Sequence, residues 1–374
     1  MLRTEAVVDL AAIAANVATL KSNTAAEVMA VVKADGYGHG MIASARAALV
    51  GGASWLGVAM LDEALALRAA GIAEPVLAWL WTPRETQALR DALAAGVDIS
   101  VSSQQALDLV VMTAAELGSA ARVHLKIDTG LSRNGVTAAD WPQLLDATAK
   151  AAATGVIETI GIWSHFAYAD SPGHPTIARQ IERFGAALDT ARGYGVTPQV
   201  RHLANSAGTV TLPQCHFDLV RPGVAVYGLS PVPEKGDFGL TPAMTLRTSI
   251  ANVKRVPAGE GVSYGHQHVT ERETTLALIP MGYADGVPRA ATNIGPVAIG
   301  GNRHTVSGRV CMDQFVVDLG DEEANAGDEV VLFGPGDDGE PTAQDWADAL
   351  DTIHYEIVTR IGARVPRSYI GGAL

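Results

Sequence analysis

The chain has 374 residues, 48% of them hydrophobic and only 5% aromatic, enough for a sizeable core divided between one large domain and a smaller one. Lys and Arg number 27 against 40 Asp and Glu, and the resulting net charge of −13 argues against a polyanion partner such as nucleic acid or an acidic membrane surface and points to a small ligand. There is no basic N-terminal segment followed by an apolar core and no apolar stretch of membrane-spanning length; Cys215 and Cys311 make neither a disulfide framework nor a thiolate metal site, so no metal is expected and a reducing, cytoplasmic location is.

The first informative element is an apolar strand over 28–33 that stops on Lys33 and breaks at once into Ala34-Asp35-Gly36-Tyr37-Gly38-His39-Gly40. A buried strand ending on a lysine before three glycines aims an amine into a site that backbone can approach closely. Burial favours the neutral amine, which can condense with an aldehyde or take a proton from carbon. Taken alone, a lysine snorkelling from a strand end is the simpler account, and it weakens because polar residues recur at equivalent places.

Seven further short β-branched runs follow, over 55–60, 75–80, 97–101, 123–127, 157–164, 200–203 and 218–221. Between them lie alanine-rich amphipathic stretches over 62–70, 83–95, 104–117, 140–153 and 175–191, several opened by Asp, Ser or Pro and closed by Gly. Eight strand units in roughly 200 residues fit a parallel (β/α)8 TIM-type barrel better than an open doubly wound sheet. The open sheet would also want a GxGxxG turn after its first strand, and GYGHG lacks that spacing. Functional groups of such barrels gather at the carboxyl ends of the strands. There the sequence offers Lys33 and Tyr37, Lys126 with Asp128 and Arg133, His165, His202 with Asn205 and Ser206, and Arg221, a set suited to an anionic small molecule.

After Gly228 the texture changes. Residues 231–236 read as a linker, and alternating β patterns follow over 245–253, 274–280, 304–310, 314–319 and 330–333, with one helix-like stretch over 342–350. The expected division is a barrel domain over 1–235 and a mainly-β domain over 236–374.

VVKADGYGHG resembles the pyridoxal-phosphate attachment segment of bacterial alanine racemases. The resemblance continues in order through LKIDTGLSRNG (125–135), SHFAYAD (164–170), HLANSAG (202–208), RPGVAVYGL (221–229), VSYG (262–265), GYADG (282–286), GRVCMDQ (308–314) and RVPR (364–367). Nine ordered segments cover essentially the whole chain. The resemblance implies a homodimeric enzyme that interconverts L- and D-alanine with pyridoxal 5'-phosphate and supplies D-alanine for peptidoglycan.

It also implies roles. Lys33 would carry the cofactor covalently and, once released, move a proton on one face of the alanine α-carbon; Tyr264, from the partner subunit, would do so on the other. A free lysine titrates near ~10.4, so working near neutrality asks for a shift of roughly three units. Arg221 would face the cofactor's ring nitrogen and, being a donor only, limit electron withdrawal into the ring. Tyr37, Ser206 and Tyr355 with the backbone amides of Gly223 and Val224 would hold the phosphate. Arg133 would meet the substrate carboxylate, joined by the backbone amide of Met312, and Lys126, often carbamylated in the family, would hold Arg133 in place. His165 would orient Tyr264, His202 would hold Arg221, Asn205 would support the cofactor, and Asp313 with Tyr283 would shape the access channel. The chain departs from many relatives in having Thr359 where they carry cysteine, a position with no role in the chemistry.

Alternatives are a racemase of broader specificity toward serine and other small amino acids, a cofactor-binding barrel without turnover, a decarboxylase of the same barrel type, and a metal-dependent hydrolase using His39, His165, His202, Asp128 and a carbamylated Lys126. The β domain with VSYG and CMDQ opposes the second, Arg221 in place of a carboxylate opposes the third, and Lys33 in place of a His-x-His pair opposes the fourth.

Overall fold

The computed structural model describes residues 3–372. The chain forms two compact units, one of Ala14–Gly36 and Ser44–Leu240, the other of Met1–Ile13, Tyr37–Ala43 and Thr241–Leu374. The first strand, β1 (Thr4–Asp9), belongs to the second of these and not to the barrel, where the 1–235 division had put it.

The larger unit is a ring of eight parallel strands: β2 (Glu27–Val31), β3 (Trp55–Val58), β4 (Val76–Ala78), β5 (Asp98–Val101), β6 (Ala121–Lys126), β7 (Ile157–Trp163), β8 (Val200–His202) and β9 (Leu219–Val220). Neighbours follow chain order, with β9 returning to pair with β2. Closure is completed between β8 and β9, where the Asp218 amide donates to the Arg201 carbonyl at 3.1 Å and the Arg221 amide to the Ala204 carbonyl at 2.9 Å. Strands covered on both faces must be apolar nearly throughout, and residues 28–32 are all buried. Inside the ring Met29, Leu77 and Leu219 pack with Trp55, Trp79 and Val200. Gly57 leaves room for this, because a Cβ there would stand 2.7 Å from the Trp79 ring.

Helices alternate with the strands. Gln104–Leu117 is capped by Ser103, whose hydroxyl accepts from the Ala106 amide, and ends on left-handed Gly118; Pro175–Gly193 opens on proline. The stretch expected over 83–95 is helical only from Thr86 to Ala94, and the helices Leu10–Ser22, Met41–Val50, Ser206–Thr211 and His354–Thr359 were not read from the sequence.

The other unit is mainly β. Its six-stranded sheet runs Asn302–Thr305, Pro296–Ile299, Glu329–Phe333, Met244–Ser249, β1, Arg367–Ile370. A three-stranded antiparallel sheet joins Asn252–Val256, Thr274–Ile279 and Phe315–Gly320. The run expected over 245–253 is two strands in different sheets, and the one expected over 304–310 lies earlier, at Asn302–Thr305.

Candidate active site

β2 ends at Val31, so Lys33 lies beyond the strand rather than on its last residue. The backbone then enters a left-handed turn, with φ of 53°, 52°, 62° and 52° at Ala34, Asp35, Gly36 and Tyr37. Left-handed backbone costs an ordinary L-residue about 1–2 kcal/mol, and three of these four are not glycine. Hydrogen bonds hold the turn: the Gly36 amide donates to the Val32 carbonyl at 2.9 Å, and the Ala34 amide to Glu63 Oε1 at 2.7 Å. The other oxygen of Glu63 accepts the Ala59 and Met60 amides at 2.9 and 3.0 Å, tying the loop after β3 to the turn that carries Lys33.

Lys33, Lys126, Arg133 and Arg221 are gathered at the carboxyl ends of the barrel strands. Under them is an aromatic floor. The Lys33 amine is 5.9 Å from the Trp79 ring centroid, while Lys126 Nζ at 4.0 Å and Arg221 Cζ at 4.8 Å share the Trp163 ring. Burial, then the Arg133 charge, pushes the Lys33 amine below the ordinary lysine range, with Glu63 acting in the opposite sense. Lys126 is brought down to about 7, by burial first and then by Arg221 and Arg133. Burial lowers Arg221 to about 9, which leaves it a cation at neutral pH. His165 and His202 are held neutral by burial and by Arg221 beside them.

Arg221 is locked from several sides. It donates to His202 Nδ1 at 3.0 Å and to the Ser164 and Leu203 carbonyls at 2.8 and 3.1 Å, with His165 Nδ1 3.4 Å away. The Ser206 hydroxyl oxygen accepts the Gly223 and Ala225 amides at 2.8 and 3.3 Å. The Gly223 amide is therefore spent on Ser206, and the serine's own proton is what can be handed outward. Asn205 Oδ1 accepts from the Gly208 amide, capping Ser206–Thr211, so its carbonyl is structural. Asp128 is likewise occupied, by the amides of Gly130, Leu131 and Ser132. Among the described residues no group of three or more His, Cys, Asp or Glu is placed to hold a metal.

The mainly-β unit carries the remaining candidates. Tyr37 is buried with its ring 6.3 Å from that of Tyr355, and burial raises its phenol. Tyr264 starts a short turn and is 72% exposed. Ser263 Oγ anchors that turn to the loop carrying Met312, donating to the Arg309 carbonyl at 2.8 Å. The same loop meets Tyr283, whose amide donates to the Cys311 carbonyl at 3.0 Å, and Asp313 pairs with Arg364 at 2.8 Å. VSYG, GYADG, CMDQ and RVPR thus converge on one region.

Sequence reasoning missed Trp79, Trp163, Glu63, Asp98 and His124. The two tryptophans lie in or beside strands and read as core, and Glu63 reads as an ordinary residue in the first turn of a helix.

The fold and site define a class: a parallel barrel whose mouth holds a lysine-centred, anion-receptive cluster, carried on one chain with a mainly antiparallel unit. Residues 8–231 match the family described as "Alanine racemase, N-terminal domain" and residues 243–369 "Alanine racemase, C-terminal domain". Among similar curated proteins are alanine racemases of Frankia casuarinae, 62% identical over 99% of this chain and 97% of that one, and of Salinispora arenicola, 60% identical over 99% of each. Among similar solved structures, alanine racemase from D-cycloserine-producing Streptomyces lavendulae is 55% identical with a TM-score of 0.97, covering 99% of this chain and 97% of that one; the Streptomyces coelicolor protein gives the same identity and score over 100% and 99%. The chain belongs to the alanine racemase family, whose members depend on pyridoxal phosphate.

Proposed function

We propose that the chain interconverts L- and D-alanine with pyridoxal 5'-phosphate, as a homodimer, in a bacterial cytoplasm where D-alanine feeds peptidoglycan. Among the described residues no helix is long and apolar enough to cross a membrane. The donor set fits the cofactor: an amine of lowered proton affinity for its aldehyde, a buried arginine for its ring nitrogen, and the Ser206 hydroxyl proton beside the start of the Val224–Tyr227 turn for its phosphate. Tyr37, Tyr355 and the Val224 amide complete the proposed phosphate set, with His202 and Asn205 as supports. When bound, the cofactor would supply an aldehyde for the amino group of alanine and an electron sink for its α-carbon, making that proton removable.

The protein's work is to move this proton between faces. Lys33 Nζ takes or returns it on one face, helped by the burial that favours its neutral form. Tyr264 Oη serves the other face, in the mouth of the partner's barrel. Its exposure, with that of Tyr283 at 44% and Met312 at 53%, supports a surface that a second copy covers. Arg133 takes the substrate carboxylate, with Lys126 fixing it and the Met312 amide assisting. Asp313 and Tyr283 shape access, and His165 orients the partner's tyrosine. Arg221 holds its proton and gives the ring nitrogen none, so the α-carbon keeps its electron density and returns its proton instead of reacting elsewhere.

The observation that carries this reading is the Lys33 amine among Arg133, Lys126 and Arg221. Lys33→Ala is expected to remove cofactor absorbance and racemisation together. Racemisation retained without Lys33 would refute it.

A further inference from the structure

Four buried side chains stand in series from the first residue of β5 to the residue after β9. Arg221 Nη1 lies 3.0 Å from His202 Nδ1, His202 Nε2 lies 2.8 Å from His124 Nδ1, and His124 Nε2 lies 3.1 Å from Asp98 Oδ2. Asp98, His124 and His202 are 0% exposed and Arg221 is 4%. At the far end Arg122 donates to Asp98 through Nε at 2.5 Å and Nη2 at 3.2 Å.

The two ends fix the direction of every bond between them. A guanidinium only donates, so His202 Nδ1 must accept and the proton of this neutral ring sits on Nε2. That proton points at His124 Nδ1, which must accept in turn, so His124 carries its proton on Nε2. That proton points at a carboxylate, which only accepts. Burial alone pushes Asp98 up, but the hydrogen bonds from His124 and Arg122 and the Arg122 charge hold it below the usual carboxylate range. All three bonds therefore run one way, from arginine to aspartate, with no donor or acceptor in the series left over.

The surroundings keep both rings in place. Trp163 stacks on His202 at 8° and 5.5 Å, and Trp55 meets His124 edge-on at 5.6 Å. Gly161 leaves the space that the His124 ring fills, since a Cβ there would stand 2.2 Å from its Nδ1.

We propose that Asp98 and His124 are positioning residues for the reaction: acting through His202, they hold the Arg221 guanidinium in one orientation as a donor. The negative end polarises each ring in turn and makes His202 Nδ1 a stronger acceptor. This deepens the proposed function and rests on Arg221 facing the cofactor ring.

The test is imidazole 15N NMR on the holoenzyme, with kinetics. Both rings are expected as Nε2–H tautomers, the assignment that the direction of the hydrogen bonds requires. An Nδ1–H tautomer or an imidazolium at either position overturns the proposal, and this measurement needs no variant to fold. In Asp98→Asn, Arg122 claims the amide oxygen and turns the amide NH2 toward His124, so the series must reverse or lose a bond. The expected result is a changed His124 tautomer with kcat lowered about tenfold and KM for alanine within about twofold. Wild-type tautomers together with wild-type kcat in Asp98→Asn would sink it. A holoenzyme that does not racemise alanine would instead remove the proposed function, while the tautomers would still be read.

Discussion

The Lys126 ammonium lies 4.0 Å from the Trp163 ring centroid, on the same indole that receives Arg221. Two cations over one ring repel each other, and the lysine is the one that can yield its proton: Lys126 is lowered to about 7 by burial, then by Arg221 and Arg133. Between about 7 and its unfolded value of 10.5 the unfolded chain holds a proton that the folded chain has released. Stability must therefore rise with pH across that window, and the cost is present in full below it. In carbon-dioxide-free buffer the urea midpoint is expected to rise from pH 6.5 to 9, and Lys126→Met to flatten that rise. The neutral amine can also add to carbon dioxide, forming an N–C bond and losing a proton to water, which leaves a carbamate anion beside the arginines. A carbamate 13C resonance from labelled bicarbonate, absent in Lys126→Met, would identify it.

Much of the barrel was legible because most of its strands are short apolar runs and several carry a polar residue at or just past the carboxyl end. Lys126, His202 and Arg221 stand at or next to those ends. What was not legible depends on distant partners. β1 reads like any short strand, and only its pairing with Met244–Ser249 and Arg367–Ile370 puts it in the mainly-β unit. Lys33 follows two valines, so the pattern carries the strand two residues too far; nothing in Ala34 or Asp35 encodes a positive φ, and the turn is held by the amides of Ala34 and Gly36 donating to Glu63 and Val32. Asp98 and His124 sit inside strands, where a single sequence gives no sign that they meet.

Space for the histidine series is a backbone matter and can be tested apart from its chemistry. Gly161→Ala puts a methyl where the His124 ring lies. Overpacking of this kind costs about 1–3 kcal/mol, so a lower melting temperature is expected. Gly185 lies in the helix Pro175–Gly193 with nothing near its added Cβ. Gly185→Ala should stabilise by about 0.5–1 kcal/mol. Equal effects at the two positions would contradict the packing described.

Glu63 links the Lys33 turn to the loop after β3 through three amide hydrogen bonds, and its charge opposes the lowering of the lysine's proton affinity. Glu63→Gln keeps the shape, replaces one acceptor with a donor and removes the charge. These amides are exposed or half-buried, so one that loses its acceptor can turn to water, and stability is expected to fall by only about 0.5–1.5 kcal/mol, the net contribution of an ordinary hydrogen bond. The electrostatic effect has its own sign: without Glu63 the Lys33 amine loses its proton more readily. The rising limb of the pH–rate profile, where Lys33 becomes the neutral base, should then move to lower pH. A limb that stays in place would mean that Glu63 acts through the backbone alone.

Shared sites make the strongest test of the dimer, because the two bases are proposed to come from different chains. Lys33→Ala and Tyr264→Phe should each be nearly inactive as pure preparations. In a mixed dimer one site collects both changes and the other receives neither, since Lys33 of one chain meets Tyr264 of the other. Random pairing of equal amounts makes half the dimers mixed, each with one intact site of two, so about a quarter of wild-type activity should return on mixing and re-equilibration. The Lys33→Ala chain cannot recover by any other route, and a Tyr264→Phe chain that kept its own base within one subunit would gain nothing from a partner. No recovery, with mixed dimers demonstrated by mass, would place both bases on a single chain and require Tyr264 to reach the barrel of its own subunit.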